Sequence, residues 1–238
     1  MAEWTERAEL LFRKEGLEKL QNANVLVVGL GGVGSFAAEF LCRAGIGKMT
    51  IVDGDVVDIT NINRQLPALH STVGQPKVTI VGDRLMDINP ELKLTRVKEF
   101  LTPERAYEIS DGDFDYVLDC IDSITPKLNL IVGAKKKKVK IVSNMGAGGK
   151  MIASKVVVKD ISKTDVCPLA KVVRKRLKKM GVSRGVKAVF STEKPDEGSV
   201  KMTDGTNFKK SFYGTNSYMP ALFGLHAAET VIRGILKK

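Results

Sequence analysis

The chain has 238 residues, of which 43% are hydrophobic, and its formal net charge at pH 7 is +11. This length suits one large α/β domain or two small ones, and the positive charge favours polyanionic partners such as nucleic acid, nucleotides or acidic lipids. The three cysteines, Cys42, Cys120 and Cys167, form no C-x-x-C pair, and the chain has two histidines. These counts argue against a disulfide framework and against a zinc site.

The N-terminal residues include Trp4, Glu6 and Arg7 rather than an apolar run, so we expect no secretory signal. No unbroken apolar stretch approaches the roughly 20 residues that a membrane-spanning helix needs. We therefore expect no membrane span and a reducing, cytoplasmic location.

Apolar residues alternate between helical and strand spacing along the first part of the chain. Leucines at helical spacing predict a first helix over 5–20. Predicted strands then alternate with predicted helices, the strands at 25–29, 49–53, 92–97, 116–120 and 139–143, the helices at 35–44, 76–87 and 124–134. This alternation is typical of a parallel sheet with helices on both faces. We predict an α/β fold with a doubly wound, mostly parallel, Rossmann-like sheet.

The pattern changes after Asn144, where the glycine-rich stretch NMGAGGK begins. Two further strands, predicted at 152–158 and 186–190, are expected to be antiparallel and to form a C-terminal extension of the sheet. A very basic helix is predicted at 169–180, a mobile loop without periodicity at 193–214, and a closing helix at 219–236. We predict a single domain over 1–238, with a nucleotide-binding part at about 20–145 and a substrate-facing part at about 146–238.

The stretch VLVVGLGGVGS, residues 25–35, places a glycine loop between a predicted strand and a predicted helix. Gly29, Gly31, Gly32 and Gly34 fit G-x-G-x-x-G, whose glycines let backbone N–H groups approach a phosphate at a helix N-terminus. Asp53 ends the next predicted strand, where a carboxylate can accept hydrogen bonds from ribose hydroxyls. These residues predict a nucleotide site, but they suit NAD and ATP equally.

The following residues favour a nucleoside triphosphate. The stretch DGDVVDITNINRQ runs from 53 to 65, and GQPK ends at Lys77. A dehydrogenase has no need for this polar cluster, whereas Arg64 and Lys77 can neutralise the β- and γ-phosphates and the departing pyrophosphate. Asp122, in LDCIDS, follows a predicted strand and can hold Mg²⁺ against phosphate oxygens.

Together these motifs resemble the adenylating enzymes related to ubiquitin activation, the family of the molybdopterin- and thiamine-synthesis adenylyltransferases. Members activate a carboxylate with Mg-ATP as an acyl-adenylate. The resemblance implies that Arg64, Lys77 and Asp122 are catalytic, with Asp122 serving the metal. The implied ATP-binding residues are Gly29, Gly31, Gly32, Gly34, Asp53, Asp55, Asn61, Arg64, Gln65, Lys77 and Asp122. Arg7 resembles the N-terminal arginine that reaches into the neighbouring subunit's site, which implies a homodimer.

Longer stretches resemble one branch of this family, the tRNA threonylcarbamoyladenosine dehydratases. They include TNINRQLPALHSTVGQPK, DCIDSITPK, GAGGK and CPLAKVVRKRLKK, and YMPALFGLHAAETVI extends the resemblance nearly to the end of the chain. Where many relatives follow the GAGG loop with Asp-Pro, this chain has Met151-Ile152-Ala153.

This resemblance implies an ATP-dependent dehydration of N6-threonylcarbamoyladenosine at position 37 of tRNA. The threonine carboxylate is adenylated and the substrate's own carbamoyl group then closes a ring. Because this attack is intramolecular, it needs no protein thioester, and we expect Cys167 to be structural. The resemblance implies ATP and Mg²⁺ as cofactors, without zinc, and leaves room for a monovalent cation and a sulfur-transfer (cysteine desulfurase) partner.

A tRNA substrate would give the basic runs of the sequence a role in phosphate binding. The candidates in the predicted basic helix are Lys171, Arg174, Lys175, Arg176 and Lys178. A second run, KKKKVK, occupies 135–140, and Phe212 and Tyr213 follow Lys209 and Lys210, where they can stack on anticodon-loop bases. Solvated helix ends and a tethered loop tip are the alternatives.

Three other functions compete with this interpretation. An adenylyltransferase for the C-terminus of a ubiquitin-like or sulfur-carrier protein would have an acidic-tailed partner and no affinity for tRNA. The missing C-x-x-C pairs and the net charge of +11 argue against it. A catalytically dead nucleotide sensor would be expected to lack Arg64, Lys77 or Asp122, all of which are present. NAD chemistry lacks an evident acid–base pair for hydride transfer.

Overall fold

The computed structural model describes residues 3–202 and 211–237. The helices are α1 (Glu6–Asn22), α2 (Gly34–Arg43), α3 (Lys77–Ile88), α4 (Pro103–Glu108), α5 (Ile124–Lys136), α6 (Pro168–Lys179) and α7 (Met219–Leu236). The strands are β1 (Asn24–Val28), β2 (Lys48–Val52), β3 (Lys93–Val97), β4 (Tyr116–Asp119), β5 (Lys140–Asn144), β6 (Val156–Asp160), β7 (Lys187–Ser191), β8 (Val200–Met202) and β9 (Ser211–Tyr213).

Strands β1 to β7 form one sheet in the order β3-β2-β1-β4-β5-β7-β6. Every neighbouring pair is parallel except β6 and β7, which are antiparallel. The chain proceeds outward from β1 to β3 on one side and from β4 to β5 on the other, where β7 and the edge strand β6 follow, so the topological switch lies between β1 and β4. Ligands bind at such a switch, beyond the carboxyl ends of the strands. The predicted doubly wound sheet and its antiparallel extension are confirmed.

Strand β1 shows why the buried strands appeared as continuous apolar runs. Val25 and Val27 belong to a core with α2, α3, α7 and the end of α1, whereas Leu26 and Val28 belong to a core with α4, α5 and α6. Helices cover both faces, so each face requires apolar side chains. Among the helices of the described residues, none is long and apolar enough to cross a membrane.

The first helix differs from its prediction in one respect. Arg13 has φ 64°, a left-handed conformation that divides α1 into two segments. Leu17 and Leu20 in the second segment are fully buried, whereas Leu10 and Leu11 in the first are 66% and 74% exposed. The helical spacing of the leucines therefore marks a core-facing stripe only after Arg13.

Three short elements, α4, β8 and β9, were not predicted, because each is shorter than two periods of its helical or strand pattern. Helix α4 has six residues and begins at Pro103, with the Thr102 side chain accepting a hydrogen bond from the Arg105 N–H. Within the predicted loop at 193–214, β8 and β9 pair as antiparallel strands. That prediction is therefore wrong for these residues, while Lys209 and Lys210 lie outside the described residues.

The carboxyl edge of the sheet is held by a buried ion pair between β4 and α5. Lys127 Nζ lies 2.6 Å from Asp119 Oδ2, and both side chains are completely buried. The ammonium also donates to the Asn144 carbonyl at 2.9 Å, and Ser143 Oγ donates to Asp119 Oδ2. Asp119 Oδ1 accepts a hydrogen bond from the Ile121 N–H at 3.1 Å. This network joins the ends of β4 and β5 to the turn that follows β4.

We expect Lys127→Met to lower the free energy of unfolding by about 3–5 kcal/mol, because it leaves the Asp119 carboxylate buried without its counter-charge. Urea unfolding followed by circular dichroism measures this change. Lys136→Met makes the same replacement at an exposed position of the same helix and should cost at most about 0.5 kcal/mol. Equal losses in the two variants would show that the pair does not hold this edge.

Candidate functional site

The glycine loop after β1 is shaped by close backbone contacts. Gly29 has φ 90°, and a Cβ there would lie 2.9 Å from the Cys120 carbonyl oxygen. A Cβ on Gly34 would lie 1.7 Å from the Gly29 carbonyl oxygen, and one on Gly32 would lie 2.9 Å from the Arg64 carbonyl oxygen. The turn itself therefore requires these three glycines. Gly31 differs, because a Cβ there would meet only the Gln65 side chain, at 3.7 Å.

Two buried amide oxygens near this loop have no hydrogen-bond partner among the described residues, Gln65 Oε1 and Asn144 Oδ1. Gln65 faces Gly31, and Asn144 ends β5, where its amide nitrogen donates to the Asp119 carbonyl. An unpaired buried polar atom costs about 1–3 kcal/mol, so such atoms concentrate where another molecule binds. Their position at the topological switch suits a polar ligand such as a nucleotide.

Asp53, directly after β2, holds the glycine loop in place. Its Oδ2 accepts a hydrogen bond from the Leu30 N–H at 2.6 Å, and its Oδ1 accepts one from the Asp55 N–H at 2.7 Å. Burial raises the pKa of the Asp53 carboxyl, an effect opposed by the charge of Lys77 and by these two hydrogen bonds. Each oxygen keeps a lone pair, so the same carboxylate can still accept from a ribose hydroxyl.

Lys77 begins α3 and is buried, yet its ammonium is paired. Nζ lies 2.8 Å from Asp55 Oδ2, and the Lys77 N–H donates to the Asp55 carbonyl at 3.0 Å. An ammonium has three donors, so pairing with Asp55 leaves capacity for a phosphate. The Asp55 carboxylate therefore offsets the free-energy cost of removing this ammonium from water, and it also orients the ammonium.

Arg64 is carried by a turn that Asn61 builds. The buried Asn61 side chain accepts a hydrogen bond from the Asp58 N–H, and its carbonyl accepts from the backbone N–H groups of Arg64 and Gln65. Burial lowers the pKa of the Arg64 guanidinium, and the nearby negative charge of Asp122 raises it. The loop after β2 and the turn after β4 thus lie next to each other, with Arg64 and Asp122 close enough to interact electrostatically. We call the space between these two segments and the glycine loop the crevice.

Asp122 is exposed, and Ser123 Oγ donates to its Oδ1 at 3.4 Å. Arg7 is also exposed, on the segment of α1 that precedes the kink at Arg13.

Cys167 is buried at the N-terminus of α6. Burial raises the pKa of the Cys42 and Cys120 thiols to about 12, so neither is a thiolate at neutral pH.

The predicted tRNA contacts on α6 fall into two groups. The exposed group is Lys171, Lys175, Arg176 and Lys178. Arg174 is half-buried instead, and its guanidinium donates to the Thr164 carbonyl at 2.6 Å. The run at the end of α5 borders a cleft of about 450 Å³, which is lined by Lys135 and Lys136 and by residues 180–184, including Arg184, directly after α6. This cleft lies at the opposite edge of the sheet from the glycine loop.

Lys127 and Asp119, which support the site, were not predicted from the sequence. A lysine on a helix normally predicts an exposed position, because burial of an unpaired ammonium is costly. Its partner lies eight residues earlier, at the end of a strand. The stretch DCIDSITPK contains Lys127 and was the one available signal, but it did not reveal which way the side chain points.

The chain is similar to characterised proteins over most of its length. A tRNA threonylcarbamoyladenosine dehydratase of Bacillus subtilis is 43% identical over 238 residues, covering 97% of this chain and 94% of the relative. The crystal structure of Escherichia coli tRNA N6-threonylcarbamoyladenosine dehydratase, TcdA, in complex with ATP matches with a TM-score of 0.89 and 35% identity, covering 100% of this chain and 96% of that chain. A molybdopterin-synthase adenylyltransferase of Salmonella typhimurium is 40% identical over 132 residues, 56% of this chain and 53% of the relative.

The model of the ThiF family matches residues 6–238, which include every element that forms the crevice. The glycine loop, the Asp53 carboxylate and the Arg64 turn all lie within this match. With its nucleotide-type crevice at the topological switch, this chain belongs to the ThiF family.

Proposed function

We propose that this protein is an ATP-dependent tRNA threonylcarbamoyladenosine dehydratase. The observation that carries the proposal is the likeness to the Bacillus subtilis dehydratase, which covers 97% of the chain and so includes both the crevice and the C-terminal part. The likeness to the molybdopterin-synthase adenylyltransferase covers 56% of the chain, so activation of a carrier protein is not favoured. The crevice supplies cations and amide groups suited to a triphosphate.

The proposed reaction has two steps. A threonine carboxylate oxygen of the modified tRNA attacks the α-phosphorus of ATP, and the bond to the pyrophosphate oxygen breaks. The carbamoyl group of the same substituent then attacks the activated carbonyl carbon, loses a proton and expels AMP. ATP becomes AMP and pyrophosphate, and the tRNA loses the elements of one water.

Arg64 and Lys77 stabilise the negative charge that develops on the departing pyrophosphate. The burial of Lys77 strengthens this effect for its ammonium, because water screens a buried charge less. Asp53 orients the ribose, and the backbone N–H groups of the glycine loop orient the α-phosphate. The ring closure is intramolecular, so it needs no cysteine nucleophile, which is consistent with the burial of Cys167.

Asp122 is the residue that would hold Mg²⁺. Within residues 3–202 and 211–237, no three histidine, cysteine, aspartate or glutamate side chains converge as a metal site. One carboxylate combined with phosphate oxygens and water suits Mg²⁺, which rarely uses an all-protein cage. When bound there, the ion would neutralise phosphate charge.

The working unit in this proposal is a homodimer. The first segment of α1 presents Leu10 and Leu11 to solvent, and it also carries Arg7. Packing of this segment against a second copy would bury the two leucines and bring Arg7 to the partner's crevice.

The basic cleft and the exposed cations of α6 form the proposed surface for the tRNA backbone. Lys135, Lys136 and Arg184 lie together there, and Lys171, Lys175, Arg176 and Lys178 extend the positive charge along α6. Lysine and arginine side chains that neutralise phosphates account for most sequence-independent affinity for nucleic acid.

AMP release from ATP, measured with and without threonylcarbamoylated tRNA, tests the proposed function. We expect AMP to form only with the modified tRNA, and mass analysis should show loss of one water from its modified nucleoside. Unmodified tRNA is the matched control. Dependence of pyrophosphate exchange on an added carrier protein, without any change in tRNA, would contradict the proposal.

We expect Asp122→Ala to lower kcat for AMP release by about 100-fold or more, because the variant loses a group that organises the triphosphate charge. The melting temperature should hardly change, since Asp122 is exposed. Asp111→Ala, at a side chain that is 80% exposed, is the control. Unchanged kcat in Asp122→Ala would remove this residue from the catalytic set.

Charge reversal in the basic cleft, Lys136→Glu with Arg184→Glu, should raise KM for tRNA about tenfold and reduce the salt dependence of tRNA binding by about two counterions. The kcat at saturating tRNA should be unchanged, because the cleft is remote from the crevice. The control is Lys93→Glu with Lys98→Glu, which makes the same change in net charge. Both residues are exposed and lie at the two ends of β3, the edge strand at the other end of the sheet. An equal effect of both pairs would indicate general repulsion rather than a defined surface.

A further inference from the structure

Residues 213–220, the bridging segment, connect three loops at the carboxyl edge of the sheet. Thr215 accepts a hydrogen bond at its carbonyl from Asn63 Nδ2 at 2.9 Å, next to the Arg64 turn. Pro220 packs against the glycine loop, where a Cβ on Gly32 would lie 2.9 Å from the Pro220 Cβ. Asn216 Nδ2 donates to the Lys150 carbonyl at 2.9 Å, in the loop after β5. The bridging segment therefore borders the crevice.

Tyr218 is the aromatic residue of this segment that remains available to a ligand. Its hydroxyl donates to the Met151 carbonyl at 2.8 Å, which fixes the orientation of the ring, while the residue stays 47% exposed. Tyr213 is used differently, because its ring packs on the loop after β5, where a Cβ on Gly149 would lie 2.9 Å from Tyr213 Cδ1. Tyr218 thus combines a fixed position with an open surface.

The neighbours of Tyr218 extend this apolar surface. Met151 is 72% exposed and Ile152 is 46% exposed. Their backbone N–H groups both donate to the Glu193 carboxylate, at 2.8–3.1 Å, so the loop that carries them is held in place. An aromatic ring and two apolar side chains, presented on a fixed backbone, suit a flat ligand that stacks, and every nucleobase has such a face.

We propose that Tyr218, assisted by Met151, is the stacking surface for the adenine base of the modified nucleotide. This inference rests on the proposed function and names the residues that position its substrate. A base stacked on Tyr218 lies beside the crevice, so the threonine carboxylate on its N6 substituent extends toward the α-phosphate. A base held outside the helix of the anticodon stem presents the face that such a ring requires.

Fluorescence of an anticodon stem–loop with 2-aminopurine at position 37 tests the stacking directly. Binding to the wild-type enzyme should quench the probe, because stacking on an aromatic ring quenches 2-aminopurine. Tyr218→Phe keeps the ring and loses the hydrogen bond to Met151, and it should retain the quenching. Tyr218→Leu should lose the quenching and raise KM for modified tRNA about tenfold or more, since stacking on an aromatic side chain contributes that much to binding a base.

ATP affinity, measured by calorimetry, and the melting temperature should be unchanged in all variants. A purely structural role for the hydroxyl would make Tyr218→Phe as damaging as Tyr218→Leu, and that result would overturn the inference. Wild-type KM for tRNA in Tyr218→Leu would overturn it as well. Failure of the proposed function itself is distinguishable, because the wild-type enzyme would then release no AMP in response to modified tRNA.

Discussion

The buried ion pair between Asp119 and Lys127 is the interaction on which the geometry of the crevice depends. It joins β4 to α5 and, through the Asn144 carbonyl, to β5. Removing two charges from water is costly, so such a pair persists only where hydrogen bonds satisfy both groups, as Ser143 and the Ile121 N–H do for the carboxylate. The turn that carries Asp122 is therefore fixed from inside the protein, while the Asp122 side chain is exposed at the surface.

Polar residues in the rest of the crevice are likewise held by hydrogen bonds and ion pairs within the protein. Asp53 holds the glycine loop while each of its oxygens keeps a lone pair, and Asp55 pairs with Lys77 and leaves two ammonium donors. Asn61 builds the turn that presents Arg64. A site built this way is organised before the nucleotide arrives, so little ordering is required on binding.

In the proposed function, nucleotide activation and substrate choice are separated along the sheet. The crevice at the switch between β1 and β4 would activate the carboxylate, because the proposed phosphate-binding groups lie there. Under the same proposal, the apolar surface around Tyr218 and the basic surface at the opposite edge would select the substrate that reaches the crevice. This separation is consistent with the partial likeness to an adenylyltransferase, which covers 56% of the chain, beside the full-length likeness to the dehydratases.

The sequence alone determined the alternation of strands and helices, the glycine loop and the identities of Asp53, Arg64 and Lys77 as nucleotide-site candidates. These features depend on residues a few positions apart, whose spacing reports local structure directly. Only the tertiary structure decided that Lys127 is buried and that Tyr218 reaches Met151, 67 residues earlier. Such contacts arise from the packing of elements that are distant in sequence. The local spacing of apolar residues does not specify which side chains come into contact when these elements pack.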